Sequence, residues 1–151
     1  MNTNKYMEKK IIKQLNWMYY GIMALTLIAL TVMYYLFQKK LFMPVDPQSS
    51  MGNVIQYIVI FDALVTIPLG LYLIKWRKPT ELKHYRKLAV LRILLVGNSM
   101  PLGIIAFYWL GAYQSMIWVA AISAVSWYFT KPTPGKMEKE MTPEDPNIPT
   151  Y

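Results

Sequence analysis

Residues 53–74 have the sequence NVIQYIVIFDALVTIPLGLYLI. The only charged side chain in this stretch is Asp62, and about 20 mainly apolar residues are enough for a helix to cross the hydrocarbon core of a bilayer. The apolar residues form a continuous run and do not alternate with polar ones, which argues against a membrane β-barrel strand. The stretch therefore predicts a transmembrane helix.

Three further apolar runs accompany this one, at residues 17–37, 88–110 and 113–130. Hydrophobic residues make up 55% of the 151-residue chain and charged residues 16%, against about 25% charged residues in an average soluble domain. Lipid is therefore the expected solvent of the fold. We predict an all-α, integral membrane, four-helix transmembrane bundle formed by residues 17–130.

Basic residues are distributed unequally between the segments that connect these runs. Of the 16 Lys and Arg side chains, 13 lie before the first run, between the second and third, or after the fourth. The loop after the first run carries only Lys39 and Lys40. Because cytoplasmic segments of membrane proteins are enriched in Lys and Arg, this asymmetry predicts a multi-pass protein of the inner (cytoplasmic) membrane with both termini in the cytoplasm.

Two polar segments flank the predicted transmembrane domain. In residues 1–16, Met7, Ile11 and Leu15 recur at every fourth position among lysines, which predicts a basic amphipathic cytoplasmic helix resting on anionic headgroups. Residues 131–151 are rich in proline and charge and are expected to be a polar, loosely ordered cytoplasmic tail. The basic residues expected to face lipid or a partner are Lys9, Lys10, Lys13, Lys75, Arg77, Lys78, Lys83, Arg86, Lys87 and Arg92.

Asp62 is the only acidic residue within a predicted span. It lies about 18 Å from the predicted cytoplasmic end of its helix, by helical rise. An aspartate at such a depth costs about 2.5 to 3.5 kcal/mol unless it has a partner, a proton or water. Asn98 and Ser99 lie at a similar depth in the third run, whereas Arg92 lies close enough to the cytoplasmic end for its side chain to reach water. This arrangement favours a hydrogen-bonded Asp62 over an ion-paired one.

Prolines accompany this polar residue in the second and third runs. Pro68 and Pro101 each remove one intrahelical hydrogen bond, freeing the carbonyls of Leu64 and Gly97, and are expected to kink their helices. Asp62 could exchange a proton or cation with help from such carbonyls, or it could stay protonated and join helices through hydrogen bonds. The candidate midplane polar or ion site comprises Asp62, Thr66, Gly97, Asn98 and Ser99.

Signals for cofactors and catalysis are missing from the sequence. The chain has no cysteine and one histidine, His84, which excludes thiolate metal sites and paired-histidine haem ligation within one chain. It has no phosphate-binding glycine loop, no nucleophile elbow and no pair of carboxylates in one span. We predict a protein that is not an enzyme, with no cofactor and no metal, and with no nucleic-acid partner because its basic residues are confined to short segments between apolar runs.

Three short motifs accompany the four apolar runs. Leu91-Arg92-Ile93 opens the third run behind a basic loop, Gly97-Asn98 lies within it, and Lys131-Pro132-Thr133 closes the fourth. With this layout the whole chain resembles uncharacterised small four-span bacterial inner-membrane proteins. The resemblance implies a membrane-spanning helical fold and no activity.

Two functions are consistent with these patterns. The first is a structural or accessory protein whose basic cytoplasmic face contacts anionic lipid headgroups or an unidentified membrane partner. The second is a small transporter or channel-like homo-oligomer that uses Asp62 for proton or cation coupling, because one bundle of four helices has little room for a lined path. The substitution Asp62→Asn separates them, because only the transporter would fold normally and lose its activity.

Overall fold

The computed structural model describes residues 2–141, and five α-helices are packed as a bundle in that range. They are α1 (Asn2–Gln38), α2 (Ser50–Arg77), α3 (Leu82–Trp109), α4 (Gln114–Phe129) and α5 (Pro134–Met141). Helices α1, α2 and α3 are long and apolar enough to cross a membrane. The all-α prediction is confirmed, and the three apolar helices suggest a multi-pass membrane protein.

Helix α3 is the centre of the bundle. It packs against α1, α2 and α4, and α2 also packs against α4. Ala89, Ile93 and Val96 of α3 are fully buried and share one apolar cluster with Leu15 of α1 and Ile74 of α2. Most of the apolar length of α1 is instead exposed. The core of the bundle therefore surrounds α3, while α1 presents its apolar surface to the environment.

Small residues set the spacing between the helices. A Cβ atom on Gly70 of α2 would lie 2.6 Å from Val96 Cγ2, and one on Gly103 of α3 would lie 3.0 Å from the backbone nitrogen of Ala120 in α4. In membrane helices, small residues at an interface let the two backbones approach closely. The contacts of α3 with α2 and α4 therefore depend on the missing side chains at these two positions.

A short turn that includes Gly111 and Ala112 connects α3 to α4. The φ angles of Gly111 and Ala112 are 69° and 63°, in the left-handed region that reverses the chain direction tightly. The two helices then pack along each other. Helix α4 has 16 residues and is slightly shorter than the predicted run at 113–130.

The segment at residues 1–16 differs from its prediction. Helix α1 continues from Asn2 to Gln38, so no boundary separates an amphipathic segment from the first apolar run. Ile11 and Leu15 are buried in the central apolar cluster, whereas Met7 is exposed. The apolar side of this segment therefore packs against the bundle, where the prediction placed it on lipid headgroups.

The predicted loose tail is wrong for residues 134–141, which form α5. Met137 of α5 is buried in the same apolar cluster as Ile11. A helix of this length gains little stability from its own hydrogen bonds, so its packing against the bundle is what stabilises it. Residues 142–151 of the predicted tail lie outside the described residues.

Most of the Lys and Arg residues lie at one end of the bundle, which we call the basic end. The elements that meet there through the shared apolar cluster are the start of α1 at Ile11, the end of α2 at Ile74, the start of α3 at Tyr85, and α5 at Met137. The opposite end contains the loop between α1 and α2 and the turn between α3 and α4.

Candidate functional site

The predicted midplane site is partly assembled between α2 and α3. Ser99 Oγ lies 3.0 Å from Asp62 Oδ2 and 2.8 Å from Thr66 Oγ1. Thr66 Oγ1 also lies 2.8 Å from the backbone carbonyl oxygen of Asp62, to which it donates. Ser99 is buried, and the side chains of Asp62 and Thr66 are half-buried. These polar contacts join the two helices at the level predicted for Asp62.

Asn98, a member of the predicted midplane site, lies away from Asp62. The side chain of Asn98 is exposed, and no side-chain hydrogen bond of Asn98 occurs within residues 5–141. Successive residues of a helix project about 100° apart, so Asn98 and Ser99 share a depth but face different surroundings. Ser99 makes the contact with Asp62 in its place.

Gly97 also lies away from Asp62. A Cβ atom at this position would lie 2.6 Å from Trp127 Cζ3 and 3.0 Å from Ile22 Cγ2. The indole of Trp127 in turn stacks on the ring of Tyr19, with centroids 4.4 Å apart. Gly97 therefore belongs to the contact of α3 with α1 and α4, and the predicted midplane site reduces to Asp62, Thr66 and Ser99.

The two prolines lie within continuous helices. Pro68 is exposed on α2, and Pro101 is buried in α3. Each lacks the N–H that would bond to the carbonyl four residues earlier, at Leu64 or Gly97. The helices nevertheless continue through both positions, so the structure shows local loss of a hydrogen bond without an interruption of either helix.

The number of protons limits how the midplane contacts can be hydrogen-bonded. The hydroxyl groups of Ser99 and Thr66 supply one proton each, whereas three polar contacts join them to each other and to Asp62. Ser99 Oγ donates to Asp62 Oδ2 and Thr66 Oγ1 donates to the carbonyl oxygen of Asp62, so in the third contact one hydroxyl shares the proton that it already donates. The three contacts therefore form one connected polar network between α2 and α3.

Arg92 differs most from its prediction. It was expected to face lipid or a partner, but only 3% of its side chain is exposed. Its Nη1 donates to Glu140 Oε1 at 2.6 Å, and the hydroxyl of Tyr85 donates to Glu140 Oε2 at 2.9 Å. The prediction is wrong because α5 brings a carboxylate to α3 from 48 residues further along the chain.

The surroundings of Arg92 contain more hydrogen-bond donors than acceptors. Within the described residues, Arg92 Nε and Nη2 are buried without a hydrogen-bond partner. Burial lowers the pKa of Lys136, and the nearby charge of Arg92 lowers it further, while Glu140 acts in the opposite direction. Lys136 Nζ donates to the carbonyl of Phe129. Glu140 is therefore the group that compensates for a buried guanidinium, whose charge would otherwise be very costly.

The remaining basic residues expected at the surface are exposed at or near the basic end. They come from the start of α1, the end of α2 and the start of α3, and His84 is exposed beside them. The nine exposed basic residues are Lys9, Lys10, Lys13, Lys75, Arg77, Lys78, Lys83, Arg86 and Lys87. No group of three or more His, Cys, Asp or Glu side chains that could hold a metal occurs among the residues that the structure describes.

Tyr85 and Glu140 are the site residues that the sequence analysis missed. Met137 and Met141 lie four residues apart and hence on one side of a helix, with Glu140 adjacent to Met141. That spacing is one signal in the sequence for a docked α5. It does not identify Arg92 as the partner, because the pairing depends on how α5 returns to α3.

Comparison with protein-family models, curated proteins and solved structures finds no match.

Proposed function

We propose that the chain is a non-enzymatic integral membrane protein, structural or accessory in role, whose basic end contacts anionic lipid headgroups on the cytoplasmic side of the inner membrane. The observation that carries this proposal is the set of nine exposed Lys and Arg residues contributed by the start of α1, the end of α2 and the start of α3. The apolar helices α1, α2 and α3 supply the membrane-spanning part.

Helix α4 is proposed as a fourth span. Glu140 of α5 bonds to Arg92, and Met137 packs in a cluster with Ile11 of α1. Both contacts lie at the basic end, so α4 returns the chain from the opposite end. Its 16 residues rise about 24 Å, against a hydrocarbon core of about 30 Å, a mismatch that a locally thinner bilayer accommodates. Four crossings place both termini on one side, and the Lys and Arg asymmetry assigns that side to the cytoplasm.

The charge distribution gives the basic end a preference for anionic lipid. Each Lys or Arg near an anionic membrane surface contributes about 1 kcal/mol of attraction. At the opposite end, the exposed basic residues of the described chain are Lys39 and Lys40. The attraction is therefore much larger for the leaflet that faces the basic end, and it should weaken as salt screens it.

Lipid selectivity in nanodiscs tests this function. The protein is reconstituted with phosphatidylcholine and phosphatidylglycerol, and spin-labelled lipids report which headgroup is enriched next to the protein. We expect enrichment of phosphatidylglycerol that falls at high salt and in the triple variant Lys9→Gln, Lys10→Gln, Lys13→Gln. The pair Lys39→Gln and Lys40→Gln is the control and should retain the selectivity. Equal occupancy by both lipids in the unmodified protein would reject the proposal.

A second candidate function is proton or cation coupling at Asp62 in a homo-oligomer. The observation that favours it is the chain of contacts from the Asp62 carboxyl through Ser99 to Thr66, in which the carboxyl can hold or release one proton. The half-buried position of Asp62 leaves part of the side chain accessible to a neighbouring subunit or water. A carboxyl group with a removable proton at midplane depth is a feature of intramembrane proton relays.

Proton flux in liposomes tests this second candidate. A pH-sensitive dye inside the vesicles reports flux driven by an imposed pH difference. Transport at Asp62 predicts flux in the unmodified protein that Asp62→Asn abolishes and Ser99→Ala reduces, with both variants folded. Flux that is absent, or equal in the unmodified protein and Asp62→Asn, leaves Asp62 with a structural role only.

A further inference from the structure

A cavity of about 710 Å³ opens at the basic end between α2 and α5. One part of its lining is apolar, from Leu71 and Ile74 of α2 and Met141 of α5. The aromatic side chains of Tyr72 and Trp76 complete the α2 wall. The volume lies within the range of about 300 to 1,000 Å³ that is usual for small-molecule sites.

The cavity also has a cationic rim. Lys75 and Lys78 contribute from the end of α2, and Lys139 contributes from α5. Lys75 and Lys139 are exposed, so their ammonium groups are accessible to a ligand that enters from the headgroup region. A surface with apolar and aromatic walls next to several cations fits a molecule that is itself part apolar and part anionic.

Glu140 also lines the cavity, but its carboxylate is already engaged. One oxygen accepts a hydrogen bond from Arg92 and the other accepts one from Tyr85. The negative charge of Glu140 is therefore balanced by the guanidinium behind it. The lysines at the rim then give the cavity a net positive potential, which favours an anion even with a carboxylate in the wall.

The position of the cavity identifies the source of such an anion. It lies beside the last turns of α2, where an apolar helix that can span a membrane ends in Lys75, Trp76 and Arg77. Tryptophan and lysine near the end of a membrane helix lie at the depth of lipid headgroups. An anionic phospholipid at this depth would meet the lysines with its phosphate and the α2 wall with its glycerol and upper acyl chains.

We propose that the cavity between α2 and α5 binds the headgroup of one anionic phospholipid, with Lys75 and Lys139 contacting the phosphate. The inference rests on the proposed function, because a headgroup reaches this cavity only if α2 spans the membrane with its basic end at an anionic surface. It goes further by replacing a general attraction over the whole basic end with one defined site.

Titration with short-chain lipids tests this site. The full chain in a neutral detergent is titrated with dioctanoyl phosphatidylglycerol, and tryptophan fluorescence reports binding. We expect saturable binding, with a dissociation constant raised at least tenfold in the double variant Lys75→Gln, Lys139→Gln. The double variant Lys83→Gln, Lys87→Gln has the same net charge, lies outside the cavity lining and should change it less than twofold. Restoring the charge with Lys75→Arg and Lys139→Arg should recover binding.

The other outcomes separate this inference from the function on which it rests. An equal loss in the two double variants would overturn the defined site and leave general attraction to anionic lipid. Equal binding of dioctanoyl phosphatidylcholine by the unmodified protein would overturn both. Binding of glycerol phosphate at the same concentration as the lipid would replace the lipid with a soluble phosphate as the ligand and overturn the inference.

Discussion

Arg92 and Glu140 show how a single residue pair determines the structure of the basic end. The guanidinium is almost completely buried in α3, and the carboxylate that neutralises it comes from α5. Replacing one member of a buried ion pair leaves the other as an uncompensated charge, which usually costs about 3 to 5 kcal/mol. The pair therefore links the position of α5 to the stability of the bundle.

The substitution Glu140→Gln tests this link. Glutamine has the same size, but it places an NH2 donor where one carboxylate oxygen accepts from Arg92 or Tyr85, and it leaves the guanidinium without a counter-charge. We expect the free energy of unfolding to fall by about 2 to 3 kcal/mol, somewhat less than for full burial because 20% of the Glu140 side chain is exposed. Unfolding in a titration from mild to denaturing detergent would measure the change.

Glu81→Gln provides a control with the same change in net charge. Glu81 is exposed, and its side chain does not cap α3. This variant should unfold within about 0.5 kcal/mol of the unmodified protein, as surface substitutions usually do. A similar loss of stability in both variants would mean that net charge, and not the buried pair, is responsible.

The sequence predicted the depth of the polar residues better than their direction. Counting residues along a helix placed Asp62, Asn98 and Ser99 at one level, and the structure shows the predicted type of hydrogen-bonded Asp62. The sequence alone does not show whether Ser99 or Asn98 contacts Asp62, because the side of α3 that faces α2 depends on how α3 is rotated about its axis when the helices pack. Arg92 was misjudged for the same reason, since its height alone suggested access to water.

At the scale of the helices, contact between backbones is the feature with the clearest consequence. Gly103 of α3 meets the backbone of Ala120 in α4, which cannot move aside as a flexible side chain would. The substitution Gly103→Val should push α3 and α4 apart and lower the free energy of unfolding by about 1 to 3 kcal/mol, as overpacking usually does. The same detergent titration would measure it.

Gly21→Val is the matched control for Gly103→Val. Gly21 lies on α1, and a Cβ atom there would have no neighbour within 4 Å. The variant should retain the stability of the unmodified protein. Equal destabilisation by the two substitutions would show that β-branching within an apolar helix, and not the contact between α3 and α4, causes the loss.

The apolar helices were predictable from the sequence, and the short polar helix α5 was not. The four apolar runs identified in the sequence are helical in α1, α2, α3 and α4 to within one residue at their ends, because the apolar composition of a membrane helix marks it independently of its neighbours. Helix α5 has no such signal. Helix α5 is ordered because Met137 and Glu140 contact residues of other helices, and these contacts can be identified only in the folded bundle.

For the whole molecule, the separation of charge between the two ends predicts its orientation in the membrane. The chain has no cysteine, so a single introduced cysteine can report its own accessibility. Lys83→Cys lies at the basic end, and Gln48→Cys lies in the exposed loop between α1 and α2. A membrane-impermeant maleimide added to spheroplasts should label Gln48→Cys, and it should label Lys83→Cys only after the membrane is permeabilised.

Two labelling results would contradict the proposed orientation. Labelling of Lys83→Cys alone in intact spheroplasts would invert the proposed orientation. Labelling of both positions would mean that the segment between them, α2, does not separate the two sides of a membrane. A thiol-free parent protein should show no labelling in either condition.

The distance along the chain between Arg92 and Glu140 also imposes an order in time. Synthesis proceeds from the N-terminus at about 5 to 20 residues per second, so the 48 residues that separate the pair take about 2 to 10 seconds. During that interval α3 carries a guanidinium whose counter-charge has not been made. Until α5 is made, the long side chain of Arg92 can reach interfacial water. The basic end is therefore the last part of the bundle to form, when Glu140 of α5 replaces water as the partner of Arg92.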